Sequence, residues 1–411
     1  MLTEKQLELY GEIAVKIGVN LQPGQELYIN CPVERSDMAH LFAKAAYKYG
    51  AKYVTVKYYD EKLNRINYEN ATTERLCEVP NYFVEERMSV VEKNAAFIAI
   101  TSQDPDAYLG IDAEKMSKRG KAYSTALREF MQAEMSNKFR WLVVPVPSKA
   151  WAKKVYPSAK DEYEAMDMMW DAIAKTVRLD TEDPVKAWEE HIGNLKRRSA
   201  FLNEHNFEYI HFTNGKGTNL MVGLAQKHMW TGAQEKASDG VMFTANMPTE
   251  EVFTAPHMFK VNGIVKNALP LVENGNVIDN FSMTFKDGEI VDFTAEQGYE
   301  TLKGLLETDA GAKRLGEIAL IGKNSPIAQS NTLFYNTLFD ENASCHLAFG
   351  ASYPTTILGG ESMSREELAK LGANDSLTHV DFMIGTPDLS VVGIDYNGNK
   401  VTIFEDGEWV I

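Results

Sequence analysis

The chain has 411 residues, 44% of them hydrophobic and 24% charged, with a formal net charge of −16. That length exceeds one ordinary core, and the composition is that of a soluble folded protein, so two domains are expected. The acidic balance argues against a nucleic-acid partner, which needs a basic footprint, and no apolar run approaches the roughly 18 residues of a membrane span.

The opening MLTEKQLELYGEIAVKIG lacks the basic and apolar regions of a signal peptide. Leu7, Tyr10, Ala14 and Ile17 recur at helical spacing, and Thr3 with Gln6 has the capping-box pattern, so a first helix is predicted. Pro23–Gly24 makes a turn and ELYINCP a strand. SDMAHLFAKAAYKYG follows as a helix, with Ser36 as its expected N-cap and Gly50 as its stop. AKYVTVKYYD reads as a strand, and NAAFIAITS and FRWLVVPVP as two more short buried runs, with helical patterns separating them. Strands alternating with helices predict an α/β domain with a mostly parallel sheet over residues 1–185. No glycine-rich phosphate loop follows its first strand, so neither a dinucleotide fingerprint nor a P-loop is read there.

A long helical region covers about 160 to 205, with Asp183 and Pro184 as a helix start. Residues 186–411 then read as a strand-rich α+β domain that carries the chemistry. KGTNLMVGL, KVNGIVKNA, NVIDNFSMTF and EIVDFTAE are strand-like, and Asn274–Gly275, Asp287–Gly288 and Asn397–Gly398 are hairpin tips. EQGYETLKGLLET is a helix and EIALIG a short strand. Three cysteines, Cys31, Cys77 and Cys345, are too few and too scattered for a disulfide framework, which points to a reducing, cytoplasmic location.

The chemistry concentrates between Glu341 and Asp381. In THVDFMIG the strand period places His379 and Asp381 on one face, and Glu341, His346 and Tyr353 lie upstream in ENASCHLAFGASYP. Imidazole and carboxylate are ligands of zinc, cobalt and manganese. Further carboxylates stand at Glu250 and Glu251 in NMPTEEVFTAPH and at Glu317 in RLGEIALIG. Spacing alone leaves plainer readings open: a solvated pair for Glu250 and Glu251, a core histidine for His346, a strand-end carboxylate for Asp381, and packing for Tyr353. Cys345 reads as buried filler, the tryptophans as packing or dimer contacts, and His257 as the histidine whose place is undecided.

NMPTEEVFTAP, RLGEIALIG, DENASCHLAFGASYP and THVDFMIG, in this order, resemble the characteristic segments of the thermophilic aminopeptidase family of metallopeptidases, and the resemblance covers essentially the whole chain. It implies a cytoplasmic homodimer that removes N-terminal residues from peptides with a free amino end, using two divalent metal ions per chain. The family's metal positions match Glu251, Glu317, Glu341, His346, His379 and Asp381, and Tyr353 matches a tyrosine beside the metals. By position, Glu317 is the expected bridge between the ions and Glu250 the expected general base, with Tyr353 donating to the oxyanion. The rival class is a non-catalytic two-domain protein closing on a small ligand; a serine hydrolase is disfavoured because no GxSxG elbow occurs.

Overall fold

In the computed structural model, which describes residues 2–273 and 275–411, helix α1 (Glu4–Ile13) opens the chain with the expected capping box. The Thr3 hydroxyl accepts the Gln6 N–H at 3.3 Å, and the Gln6 side chain accepts the Thr3 N–H at 3.0 Å. Strands β1 (Glu26–Pro32), β2 (Tyr53–Tyr59), β3 (Ala96–Thr101) and β4 (Trp141–Pro145) follow. They form one sheet of order β2-β1-β3-β4, and every pairing in it is parallel. The α/β reading of this half therefore holds; β1, β3 and β4 are largely buried, whereas the edge strand β2 has no buried residue.

Helix α2 (Ser36–Lys48) corrects one local expectation. Ser36 is its first helical residue, not its cap, because a 3-10 turn over Val33–Arg35 leads straight in. Gly50 does end the helix, with φ +89°, a conformation that costs glycine little. The helical stretch from 160 to 205 is two helices, Glu162–Thr176 and α3 (Pro184–His205). Asp183 caps α3, accepting the Lys186 N–H at 3.1 Å.

Two compact units partition the chain. The first comprises Met1–Gly193, Ala233–Thr249 and Phe334–Leu338, and the second Asn194–Gly232, Glu250–Leu333 and Phe339–Ile411. The sequence places one cut at 185/186; the compact units divide within α3 and exchange two later segments. The first exchange has a visible cause. Residues 245–247 lie along the edge strand β4, where Val143 donates to Ala245 O at 2.9 Å and Met247 donates back to Val143 O at 3.0 Å. An edge strand's unpaired backbone groups are satisfied in this way.

The second unit is strand-rich, as expected. Nine described strands form a mixed-length sheet in which Asn276–Lys286 pairs with Glu289–Gln297. Asp287 and Gly288 make the tight turn between them at φ +48° and +82°, the left-handed pair that a two-residue hairpin requires. The expected turn at Asn274–Gly275 falls partly outside the described residues, since Asn274 is not among them. A second sheet has four antiparallel strands, β5 (Val252–Thr254), β6 (Leu315–Leu320), β7 (His346–Gly350) and β8 (His379–Met383), in the order β8-β7-β6-β5.

Candidate metal centre

Register explains why residues so far apart in sequence meet. Glu317 of β6 pairs with Ala348 of β7, which pairs with Asp381 of β8. These three form one row across the sheet, and paired residues share a face. His346 lies two residues from Ala348 and His379 two from Asp381, so both imidazoles stand on that face. On the other side, Ala319 pairs with both His346 and Phe253. Glu251, two residues before Phe253, completes the set. A register shift between Leu315 and Glu317 marks a bulge next to the central carboxylate, a device that re-aims a side chain.

The side chains converge. His346 Nε2 lies 3.2 Å from Glu251 Oε2, 3.6 Å from Glu317 Oε1 and 3.8 Å from Asp381 Oδ1. His379 Nε2 lies 3.5 Å from Glu317 Oε2 and 3.4 Å from Asp381 Oδ1. Donor atoms of Glu251, Glu317 and His346 fall within 4.8 Å of one another, as do those of Glu317, His379 and Asp381. Glu317 belongs to both groups. The outer nitrogens of both rings are engaged by backbone: His346 Nδ1 meets Glu341 O at 2.9 Å, and His379 Nδ1 meets Ala351 O at 2.7 Å. A carbonyl accepts only from a protonated nitrogen, so each ring donates through Nδ1 and turns Nε2 toward the cluster, the orientation that metal-binding histidines adopt.

Glu341 stands outside both three-residue groups but within their field. Burial, then the charges of Asp381 and Glu251, push its carboxyl well above the usual range. Burial pushes Glu317 up to about 7, against the pull of His346 and His379. Burial opposes charge on His346, yet Glu251 and Glu317 hold it well above its ordinary value. Burial likewise opposes charge on His379, and Asp381 carries it up to about 9. Asp381 sits below an ordinary aspartate because His379 outweighs its burial. Four carboxylates and two imidazoles with this much mutual repulsion and desolvation form a donor set that divalent cations fit.

Tyr353 lies beside this centre, its ring edge-on to His379 at 5.0 Å and to Phe253 at 5.8 Å. Glu250 is buried, its N–H held by Asn342 Oδ1 at 2.7 Å, and the Arg198 guanidinium is within its electrostatic reach. His257 belongs to neither donor group: its ring lies against Gly372, and its Nδ1 accepts the Phe259 N–H at 3.2 Å. His228 is a core histidine bonded to Ala225 O at 3.0 Å. Burial pushes the Cys345 thiol up to about 12, so it is no ready nucleophile.

Three neighbours were not legible in sequence. Asn342 is fully buried and also donates to Glu341 Oε1 at 3.4 Å, linking two acids of the centre. Arg198 places a charge near Glu250 from a distant helix. Glu273 is pushed up to about 7 by burial and by Asp381. A lone amide or a lone charge carries no spacing rule; only Asn342, directly after Glu341, stood where a supporting residue might have been sought.

Comparison with known proteins identifies the family. The model of the thermophilic metalloprotease (M29) family matches residues 3–409. Aminopeptidase 2 of Geobacillus stearothermophilus is 46% identical over 406 residues, covering 99% of this chain and 98% of its own. Aminopeptidase T of Thermus thermophilus is 38% identical over 408 residues, covering 99% of each chain. The solved structure of wild-type AmpT from Thermus thermophilus superposes with a TM-score of 0.90 at 37% identity, covering 99% of this chain and 100% of that one. With the whole length matched and the donor cluster in place, the chain belongs to the thermophilic metalloprotease family M29.

Proposed function

We propose that this metalloprotease is an aminopeptidase that acts on peptides with a free N-terminus and holds two divalent ions through Glu251, Glu317, Glu341, His346, His379 and Asp381. The observation that carries the dinuclear reading is Glu317, whose two oxygens face different histidines and which belongs to both donor groups. A carboxylate shared in this manner suits the bridge of a two-metal site. The names of the relatives support the direction of cleavage. Zinc, cobalt and manganese all suit oxygen-rich sites with two imidazoles.

Such ions, when bound, polarise a peptide carbonyl and lower the pKa of water. The protein's own groups do the rest. His346 and His379 are locked in one tautomer by Glu341 O and Ala351 O, so their donor nitrogens need no reorganisation. Glu250 takes the water's proton and returns it to the leaving amine. Tyr353, braced edge-on by His379 and Phe253, donates its hydroxyl to the developing oxyanion. The protein works in the cytoplasm as a homodimer whose assembly restricts entry to the site; this part rests on the family resemblance.

The test is hydrolysis of an aminoacyl reporter and of a matched peptide pair, free and acetylated at the amino end. Chelation abolishes turnover and divalent ions restore it, and only the free peptide is shortened. Full activity after verified metal removal, or internal cleavage of the blocked peptide, sinks the reading.

A further inference from the structure

The sheet order β2-β1-β3-β4 means that the chain leaves β1 toward one side and returns on the other with β3. Open α/β sheets bind ligands outside the carboxyl ends of their strands at such a reversal. A cleft of about 1030 Å³ lies at that end, lined by residues 34–37 after β1, 61–65 after β2, 104–107 after β3 and 147–153 after β4. Cavities of this size hold small molecules.

Its lining is charged and of mixed sign, in a chain where acids outnumber bases by 58 to 42. Much of that charge is already paired: Lys62 with Glu34 at 2.6 Å and Lys149 with Glu162 at 2.5 Å. Glu61 and Asp104 are not. Glu61 Oε2 accepts the Asp104 N–H at 3.0 Å, and Asp104 Oδ1 accepts the Asp106 N–H at 2.9 Å. Among the described contacts neither carboxyl has a cation within ion-pair distance. Burial pushes Glu61 up to about 7, with the Asp104 and Glu34 charges adding to the shift and Lys62 opposing it. Lys153, which also lines the cleft, gives its ammonium to the carbonyls of Pro157 and Ala159. The cleft thus leaves an acidic pair and a cation unneutralised by each other, on segments from different strands. A ligand carrying an ammonium and a carboxylate matches both.

We propose that this cleft binds a free α-amino acid or short peptide as the zwitterion, its ammonium on Glu61 and Asp104 and its carboxylate on Lys153. The argument rests on the lining of the first unit and not on the aminopeptidase reading, although such a ligand is chemically what an aminopeptidase releases.

The test is equilibrium dialysis of radiolabelled L-leucine against the full-length, metal-loaded protein, repeated after chelation. One equivalent per chain is expected to persist after chelation. N-acetylleucine and leucinamide, each lacking one charge, compete at least tenfold more weakly than leucine. L-leucylglycine, used on the chelated protein, tells whether the site prefers a free amino acid or a peptide. Glu61→Gln and Lys153→Ala each weaken the persistent binding at least tenfold while the metal-loaded enzyme stays folded and keeps its turnover. Should one variant fail to fold, the other gives the answer alone, since the two side chains sit on different segments. The proposal is overturned if chelation removes all leucine binding, if either blocked analogue competes equally, or if folded variants bind as the parent does. None of these outcomes touches the aminopeptidase reading, which is judged by hydrolysis.

Discussion

At the scale of the residue, the proposed site assigns separable duties to His379, Asp381 and Tyr353. The first two present donor atoms 3.4 Å apart to a common point. Tyr353 stands beside that point, its ring against that of His379. Replacing His379 or Asp381 with alanine is therefore expected to lower bound metal and activity together. Tyr353→Phe keeps the ring packing and the metal and deletes one donor, so kcat falls by roughly 10²–10³ with KM little changed. Metal content and steady-state kinetics on the three variants check this. A His379→Ala protein with full metal content removes His379 from the ligand set, and a Tyr353→Phe enzyme with normal turnover removes the oxyanion role. The types of these residues were readable in the sequence because carboxylate and imidazole on an apolar strand call for a reason. Their orientation was not, since it depends on two backbone carbonyls, Glu341 O and Ala351 O, that no side-chain pattern announces.

At the scale of the element, the four-stranded sheet turns strand period into a site. Its most sensitive point is the bulge before Glu317. A Cβ on Gly316 would meet Ala351 O at 2.2 Å and Gly350 O at 2.5 Å, both backbone atoms that cannot step aside. Gly316→Ala must push β6 away from the end of β7 and move Glu317 with it. The expected result is a loss of about 1–3 kcal/mol in stability, the usual range for overpacking, with reduced metal occupancy. Denaturant midpoints and metal analysis measure both, and a variant matching the parent in each would show that the bulge does not position Glu317. Elements with local chemistry, such as α1 with its Thr3–Gln6 box and the Asp287–Gly288 hairpin, were legible in the sequence. Ser36 was misread because a preceding 3-10 turn carries the chain into α2, and nothing in the residue types distinguishes the cap of a helix from its first turn.

At the scale of the whole molecule, buried carboxyls set the response to pH. Burial pushes Glu134 from 4.5 up to about 7, against the pull of Arg87. The folded state thus holds this proton more tightly than the unfolded chain. The contribution is fully favourable below pH 4.5 and is lost as pH rises through about 7. Glu134→Gln removes the ionisation, so its stability relative to the parent should climb between pH 5 and pH 8, by up to about 3 kcal/mol. Unfolding midpoints across that range decide it, and a difference independent of pH means that Glu134 ionises freely when folded. For assembly, sedimentation is expected to give a dimer at working concentration; a fully active monomer would refute the dimer and its control of entry.

The sequence by itself determined the α/β then strand-rich order of this chain, the residue types of its centre and, through four ordered segments, its family. Those properties are local: periodicity, capping, turn chemistry and short motifs are each set within a few neighbouring residues. Tertiary structure alone decided the rest. The row Glu317–Ala348–Asp381 exists because three strands separated by long stretches of chain pair in one register. The segment 233–249 joins the first unit because β4 has an open edge. The cleft over β1 and β3 exists because the strand order reverses there. Pairing between distant segments is chosen by the burial and hydrogen bonding of the folded whole, and no single segment carries that information.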